Sequence, residues 1–349
     1  MLDILISFIK IVLIGLLFPL IISLIAYIYL LIKFNFFRKE KNFKNKHILI
    51  LGASSGLGEA LSLKLILQEG IKLSIASRRE KELKQVQQKC NELNKKNKCD
   101  YYLVDITKEI DIKNFLEKSI EKNGFPSLII NCAGIAHPGF ITQLKMETYI
   151  SDMNLNYFGN LKFLKEIINQ YEINTKKNLI KETSIDIVCV GSCLGIIGSI
   201  GYSAYCPTKF ALKGLLDSLK FELINTRLKL HYYAPSNMLT PGLVEENKNK
   251  PKIVFDMENN AKNITAEEAA NVLLSNLDKY LITSEPDLEL LKISNYFMNE
   301  NKVIDLLLMP VAIIGVIFTR KSIEYNIKKN FNFFNKVNNN DINSKNKVE

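Results

Sequence analysis

This chain of 349 residues predicts an α/β fold built on a doubly wound parallel sheet. Three observations carry that expectation. Short apolar runs alternate with amphipathic helical stretches from His47 to Ser284, the order that sets parallel strands between two layers of helix. The first run, His47 to Leu51, leads directly into Gly52-Ala53-Ser54-Ser55-Gly56-Leu57-Gly58 and then into a helical pattern over Glu59 to Gln68. No internal repeat interrupts the alternation, and roughly 240 residues suit one domain.

Before the first strand, Ile11 to Ile32 is a run of 22 residues without a charge, long enough to cross a hydrocarbon core of about 30 Å as a helix. It lacks the basic start, short apolar core and small-residue cleavage site of a signal peptide, so an uncleaved anchor is expected over residues 1–37. Lys33, Arg38, Lys39, Lys41, Lys44 and Lys46 follow the run, whereas only Lys10 and the amino terminus precede it. The basic linker at 38–46, and with it the domain beyond, is therefore expected on the cytosolic side.

The α/β domain is expected over 47–300, with further strands at Lys72 to Ala76, Tyr101 to Val104, Ser127 to Asn131, Ile185 to Val190 and Leu228 to Tyr233. Helical patterns such as Arg79 to Leu93 and Glu109 to Lys122 separate them. The ligand crevice should then lie at the carboxyl ends of the strands. Within 301–325, the apolar segment Leu306 to Thr319 contains Pro310 and is short for a span. It reads as an interfacial or re-entrant element, with a buried helix of the domain as the alternative. The Asn- and Lys-rich tail, 326–349, is expected to be disordered.

Two local patterns carry chemistry. The glycine-rich turn between the first strand and its helix puts backbone N–H groups and a positive dipole end where a pyrophosphate can sit. Its spacing is Gly-x-x-x-Gly-x-Gly, not the Gly-x-Gly-x-x-Gly of the common dinucleotide fingerprint. Farther on, Tyr205 and Lys209 stand four apart, so on a helix they share a face and the ammonium can favour the ionised phenol. Ser192, thirteen residues before Tyr205 at the end of the Ile185 to Val190 run, would converge with them on one carbonyl. Pro207 is compatible if the helix begins near Ser203, since the first N–H groups of a helix have no partner within it.

Together these residues resemble the short-chain dehydrogenase/reductase family, from about His47 to Ser284. The family's glycine motif falls on Gly52, Gly56 and Gly58, with Ser54, Ser55 and Leu57 between them. Its strand-four motif falls on Asn131-Cys132-Ala133-Gly134, with Cys132 replacing an asparagine, and its helix-four asparagine on Asn156. The family's serine, tyrosine and lysine match Ser192, Tyr205 and Lys209, and its proline-led loop matches Pro235 to Thr240, with Ser236 in place of glycine. The resemblance implies a Rossmann-type fold in which Asn156, Ser192, Tyr205 and Lys209 are catalytic, Asn156 fixing a water of the proton relay. It also implies a nicotinamide cofactor held by Gly52, Ser54, Ser55, Gly56, Leu57, Gly58, Asp105, Asn131, Ala133, Gly134, Tyr205, Lys209, Pro235 and Thr240. Asp105 would contact the adenine, although a simple turn role suits it equally.

At the end of the second strand, where an NAD-preferring site places an acid, the chain has Ser77-Arg78-Arg79. An arginine pairs with a 2′-phosphate, so Arg78 points to NADPH, with solvated first-turn residues as the bland alternative. The net charge of +10 and pI near 9.1 come from lysines spread along the chain. They accompany no nucleic-acid-binding motif, so no nucleic-acid partner is expected, whereas anionic lipid headgroups are. Cysteines at 90, 99, 132, 189, 193 and 206 form no paired zinc-type spacing, and no metal is expected.

After Thr240, the loop Pro241-Gly242-Leu243-Val244-Glu245-Glu246-Asn247 and Lys250-Pro251 is similar to that of the family's branch that reduces 3-ketosphinganine. The resemblance implies a long-chain lipid ketone as substrate and the endoplasmic reticulum membrane as location. The final Lys345-Asn346-Lys347-Val348-Glu349 also resembles a dibasic retrieval signal of that compartment. Glu245 and Glu246 are candidates to pair with the substrate ammonium, or else are solvated partners of Lys248 and Lys250. Another anchored reductase acting on a 3-ketoacyl-CoA, a steroid or a retinoid remains open, as do a silent lipid-binding protein and a homo-oligomeric state.

Overall fold

A computed structural model describes residues 6, 17–32, 41–259, 263–296 and 302–330. After helix α1 (17–32), the chain runs β1 (His47–Leu51), α2 (Gly56–Leu65), β2 (Lys72–Ser77), α3 (Glu80–Leu93), β3 (Lys98–Leu103), α4 (Glu109–Asn123) and β4 (Leu128–Asn131). It continues with α5 (Met146–Met153), a π-helical turn (Asn154–Gly159), α6 (Asn160–Lys176), β5 (Ile185–Val190), a short 3-10 turn (Cys193–Gly195), α7 (Tyr205–Glu222) and β6 (Leu228–Ala234). The remainder is β7 (Met238–Leu239), α8 (Pro241–Asn247), α9 (Lys252–Asn259), β8 (Ile264–Thr265), α10 (Ala266–Leu274), β9 (Leu281–Thr283), α11 (Pro286–Tyr296) and α12 (Lys302–Asn330).

Seven parallel strands form the sheet in the order β3-β2-β1-β4-β5-β6-β9. The expected doubly wound arrangement follows from the strand sequences. In β1, Leu49 and Leu51 enter one apolar core with Ile129 and Ile187, while Ile48 and Ile50 enter the core on the other face with Leu128, Ile130 and Val188. A strand side chain alternates faces with period two, so only a strand covered on both sides can be apolar throughout. Each fully buried Leu or Ile stabilises the fold by about 1.5–3 kcal/mol. Chain order reverses between β1 and β4, which opens the crevice at their carboxyl ends.

Three features depart from the sequence reading. The seventh strand, β9, was not foreseen, since three residues are too few to show a period. The segment Leu306 to Thr319 is part of the 29-residue α12, which continues through Pro310 and extends to Asn330, past the boundary drawn at 326. Its Leu308 and Ala312 are buried with Ile293 of α11 against Ala26, Tyr27 and Leu30 of α1, while Ile313, Ile314, Ile317 and Phe318 of the same helix are exposed. Among the described residues no helix is long and apolar enough to cross a membrane. The run Ile11 to Ile32 is helical over 17–32, and its first residues lie outside the described residues, as do 33–40 and the tail from 331.

Candidate active site

The glycine turn shapes the cofactor side of the crevice. Gly52 has φ +82°, a left-handed conformation, and an added Cβ would come within 2.6 Å of the Ala133 nitrogen. At Gly58 a Cβ would meet the Gly52 carbonyl oxygen at 2.3 Å. Ser55, the N-cap of α2, is extended and makes no side-chain cap, so the first N–H groups of the helix face the crevice without one. A bare backbone cradle at a helix start fits a pyrophosphate. The Ser54 hydroxyl accepts from Arg79 Nε (3.1 Å) and Nη2 (2.9 Å), and the Ser55 hydroxyl accepts from Nη2 (2.5 Å). Arg79, not Arg78, is therefore the arginine laid across the turn. Arg78 acts at longer range on Asp105.

Asp105 makes the hydrogen bonds of a turn residue. Its Oδ1 accepts from the Thr107 N–H (3.0 Å) and hydroxyl (2.8 Å). Burial pushes this carboxyl up, but the Thr107 hydrogen bonds and the Arg78 charge together hold it below its ordinary value. Asn131 shapes the turn after β4, accepting from the Ala133 N–H at 3.0 Å and donating to Asn160 Oδ1 at 2.8 Å. A Cβ on Gly134 would lie 3.3 Å from Asn156 Oδ1 and 3.4 Å from Lys209 Nζ, so these three meet at one point. Thr240 caps α8 by accepting from the Leu243 N–H at 3.3 Å, and its methyl group closes on Gly56. Pro235 accepts from the Cys193 N–H at 3.1 Å, which ties this loop to Ser192.

The expected catalytic residues converge. Ser192 is extended at the end of β5, and its hydroxyl accepts from the Leu194 N–H at 3.1 Å and lies near enough to the Tyr205 phenol to oppose the rise of its pKa. Tyr205 opens α7, so Pro207 falls in the first turn, where its missing N–H breaks no helical bond. Lys209 is buried, with Nζ 5.5 Å from the Tyr205 ring centre and donating to the Val190 carbonyl at 3.0 Å. Burial lowers this ammonium to about 8, partly offset by Asp152 and the neighbouring thiols. Burial also raises the thiols of Cys132 and Cys189, each to about 12.

One expectation about these residues changes. Lysine was expected to lower the tyrosine pKa, but burial, and then the Glu246 charge, raise Tyr205 well above the ordinary phenol, with Ser192 opposing them. Asn156 was expected to fix a water. Its buried side chain accepts from the Ile135 N–H (2.9 Å) and donates to the Ile135 carbonyl (2.8 Å) and the Thr208 hydroxyl (3.1 Å). It braces the π-helical turn against α7.

The match to the family described as short chain dehydrogenase covers residues 46–251. The chain belongs to the short chain dehydrogenase family. It is an oxidoreductase of a ketone or alcohol group, with the family's serine, tyrosine and lysine all in place. It is 32% identical over 256 residues to a 3-ketodihydrosphingosine reductase of Dictyostelium discoideum, covering 69% of this chain and 75% of that one. It is 30% identical over 285 residues to a PIGF/3-ketodihydrosphingosine reductase fusion protein of Schizosaccharomyces pombe, covering 80% and 56%. Among solved structures, a short chain dehydrogenase/reductase from Burkholderia phymatum in complex with NAD superposes with TM-score 0.63 at 18% identity, covering 74% and 95%. Levodione reductase superposes with TM-score 0.60 at 20% identity, covering 69% and 96%. These two structures share the fold.

Relative to the family pattern, the other wall of the crevice holds what sequence reasoning missed. Glu245 is exposed and pairs with Lys248 at 2.5 Å, which removes it from the cleft. Glu246 is 18% exposed and lies 2.5 Å from the Tyr202 hydroxyl and 3.0 Å from Lys250 Nζ. Glu258 of α9 joins them, 2.7 Å from the same hydroxyl and paired with the same lysine. Two carboxylates around one ammonium leave this buried cluster with one net negative charge beside Tyr205, whose ring is 6.0 Å from that of Tyr202. Tyr232 was read only as a strand residue. Its hydroxyl accepts from the Ser192 N–H (3.3 Å) and lies 3.2 and 3.3 Å from the Ser192 and Lys209 carbonyl oxygens, bracing both catalytic segments.

Proposed function

We propose that this protein reduces 3-ketosphinganine to sphinganine with NADPH as hydride donor. The observation that carries the reading is identity of about 30% to two 3-ketodihydrosphingosine reductases over most of the chain. The negative cluster of Glu246, Glu258 and Lys250 supports it, since the substrate carries an ammonium next to its ketone and a partly dry cleft strengthens such a pairing. Arg79 at the serines of the glycine turn supports the choice of a 2′-phosphorylated cofactor.

In this reaction Tyr205 donates its proton to the carbonyl oxygen as that oxygen gains charge, and the Ser192 hydroxyl hydrogen-bonds the same oxygen. The high pKa of the phenol keeps the proton on it until the alkoxide, a stronger base, develops. Lys209 then restores the proton. NADPH, when bound, supplies the hydride to the substrate carbonyl carbon.

A membrane setting belongs to the same reading. Phe18, Ile21, Leu24 and Ile25 of α1 and Ile317 and Phe318 of α12 are exposed, an apolar surface suited to lipid. We infer that the two helices, with the rest of the apolar run, hold the protein on the endoplasmic reticulum membrane with the catalytic domain in the cytosol, where it meets a bilayer-resident ketone. The test is an assay of the full-length protein in lipid nanodiscs against 3-ketosphinganine and a 3-ketoacyl-CoA, each with NADPH and NADH. Preference for 3-ketosphinganine with NADPH is expected. Preference for the thioester would replace the substrate assignment, and equal use of both cofactors would remove the role given to Arg79.

A further inference from the structure

Each ketone reduced takes one proton from solvent, and that proton must reach Tyr205 past a lysine that is 3% exposed. His137 and Asp152 form a pair that the reaction as described above leaves unused, Asp152 standing one helical turn before Asn156, whose Oδ1 meets Lys209 Nζ at Gly134. Asp152, in the last turn of α5 and four residues before Asn156, has a fully buried side chain. Its Oδ1 lies 2.5 Å from His137 Nδ1, while its Oδ2 is buried without a hydrogen-bond partner. His137, in the loop after β4, is 48% exposed. One member of the pair thus reaches solvent and the other ends in an unpaired carboxylate oxygen inside the protein.

A buried carboxylate oxygen with no partner is unfavourable unless it carries or receives a proton. The charged groups acting on Asp152 are His137 from the loop and Lys209 from α7. Burial raises the Asp152 carboxyl against the opposing His137 hydrogen bonds and the His137 and Lys209 charges, and the Asp152 charge in turn supports the Lys209 ammonium. A pair serving only to pin the loop to α5 would need no second oxygen left open.

We propose that His137 and Asp152 are the proton inlet of the active site, positioning residues that recharge Lys209 from solvent after each turnover. Solvent protonates His137 at Nε2, and the imidazolium releases its Nδ1 proton to Asp152 Oδ1. The carboxyl turns and passes the proton, by way of a water, to Lys209 Nζ after that amine has given its own to the Tyr205 phenolate. The imidazole exchanges its remaining proton with solvent and regains its starting tautomer. No bond other than those to the proton forms or breaks.

The proposal rests on carbonyl reduction at Tyr205, and the experiment separates the two. His137→Ala, at a half-exposed loop position, should retain the fold and NADPH affinity while kcat for 3-ketosphinganine falls by roughly tenfold or more. Added imidazole should restore the rate in His137→Ala but not in Asp152→Asn. An unchanged kcat, or a loss that imidazole does not restore, would overturn the inlet. A second measurement is independent of the substrate. NMR of isotope-labelled lysine should show Lys209 titrating near 8 in the parent and lower in Asp152→Asn. An unmoved Lys209 titration would overturn the coupling whatever ketone the enzyme reduces.

Discussion

The glycine turn between β1 and α2 and the flap formed by α8 and α9 border the same Tyr205, yet different forces hold them. At the turn, backbone shape decides. Gly52 donates its N–H to the Ala76 carbonyl at 2.7 Å, and neither Gly52 nor Gly58 has room for a methyl group. The flap has little core of its own. No residue of α8 is buried, and Leu239 and Val244 are exposed. What ties it to the crevice is the cluster of Tyr202, Glu246, Lys250 and Glu258, with Val254 packed on Tyr202. A wall set by sterics suits a cofactor that is the same in every turnover. A wall latched by charge can open for a long lipid and still read its headgroup.

Tyr205→Phe should have the largest effect because it removes the atom that both walls serve. Turnover should fall roughly a thousandfold, with NADPH affinity measured by fluorescence nearly unchanged since the ring remains. Turnover within tenfold of the parent would mean that the proton comes from another group. Arg79→Ala tests the cofactor wall alone. Losing its charge-assisted contact should weaken NADPH roughly tenfold and NADH little, as read from the two kcat/KM values. An equal loss for both cofactors would make Arg79 a brace for Ser54 and Ser55.

Much of this contrast was legible in the sequence on one wall and hidden on the other. The glycine turn, Ser192, Tyr205 and Lys209 are readable because their requirements are local: a left-handed residue, a strand end, two residues on one helical face. Tyr202, Glu246 and Glu258 are scattered over 57 positions and become a cluster only when the flap folds back, so no spacing announces Glu258. For the same reason Glu245 and Glu246 looked alike, whereas α8 turns one to Lys248 at the surface and the other inward. Arg78 and Arg79 were likewise inseparable until the start of α3 aimed one at the serines of the turn. His137 and Asp152 stand on separate elements, and neither lies in a motif.

Glu246→Gln and Glu258→Gln sharpen the comparison from the flap side. Each should raise KM for 3-ketosphinganine several-fold and spare both NADPH affinity and an uncharged ketone of equal chain length. Equal losses on the two substrates would show that the cluster only holds the flap shut. The smallest effect expected is a gradual one with pH. Lys209 is protonated below its lowered value and neutral above it, so kcat/KM, which reports the free enzyme, should decline as pH rises through about 8. A profile flat to pH 10 would mean that the ammonium of Lys209 is not required.

Product formation by the intact protein is the decisive observation for the proposed reaction. Full-length protein in lipid nanodiscs, given 3-ketosphinganine and NADPH, should form one sphinganine for each NADPH oxidised, with Tyr205→Phe as the blank. Sphinganine no higher than in that blank, from protein that still binds NADPH, would contradict it.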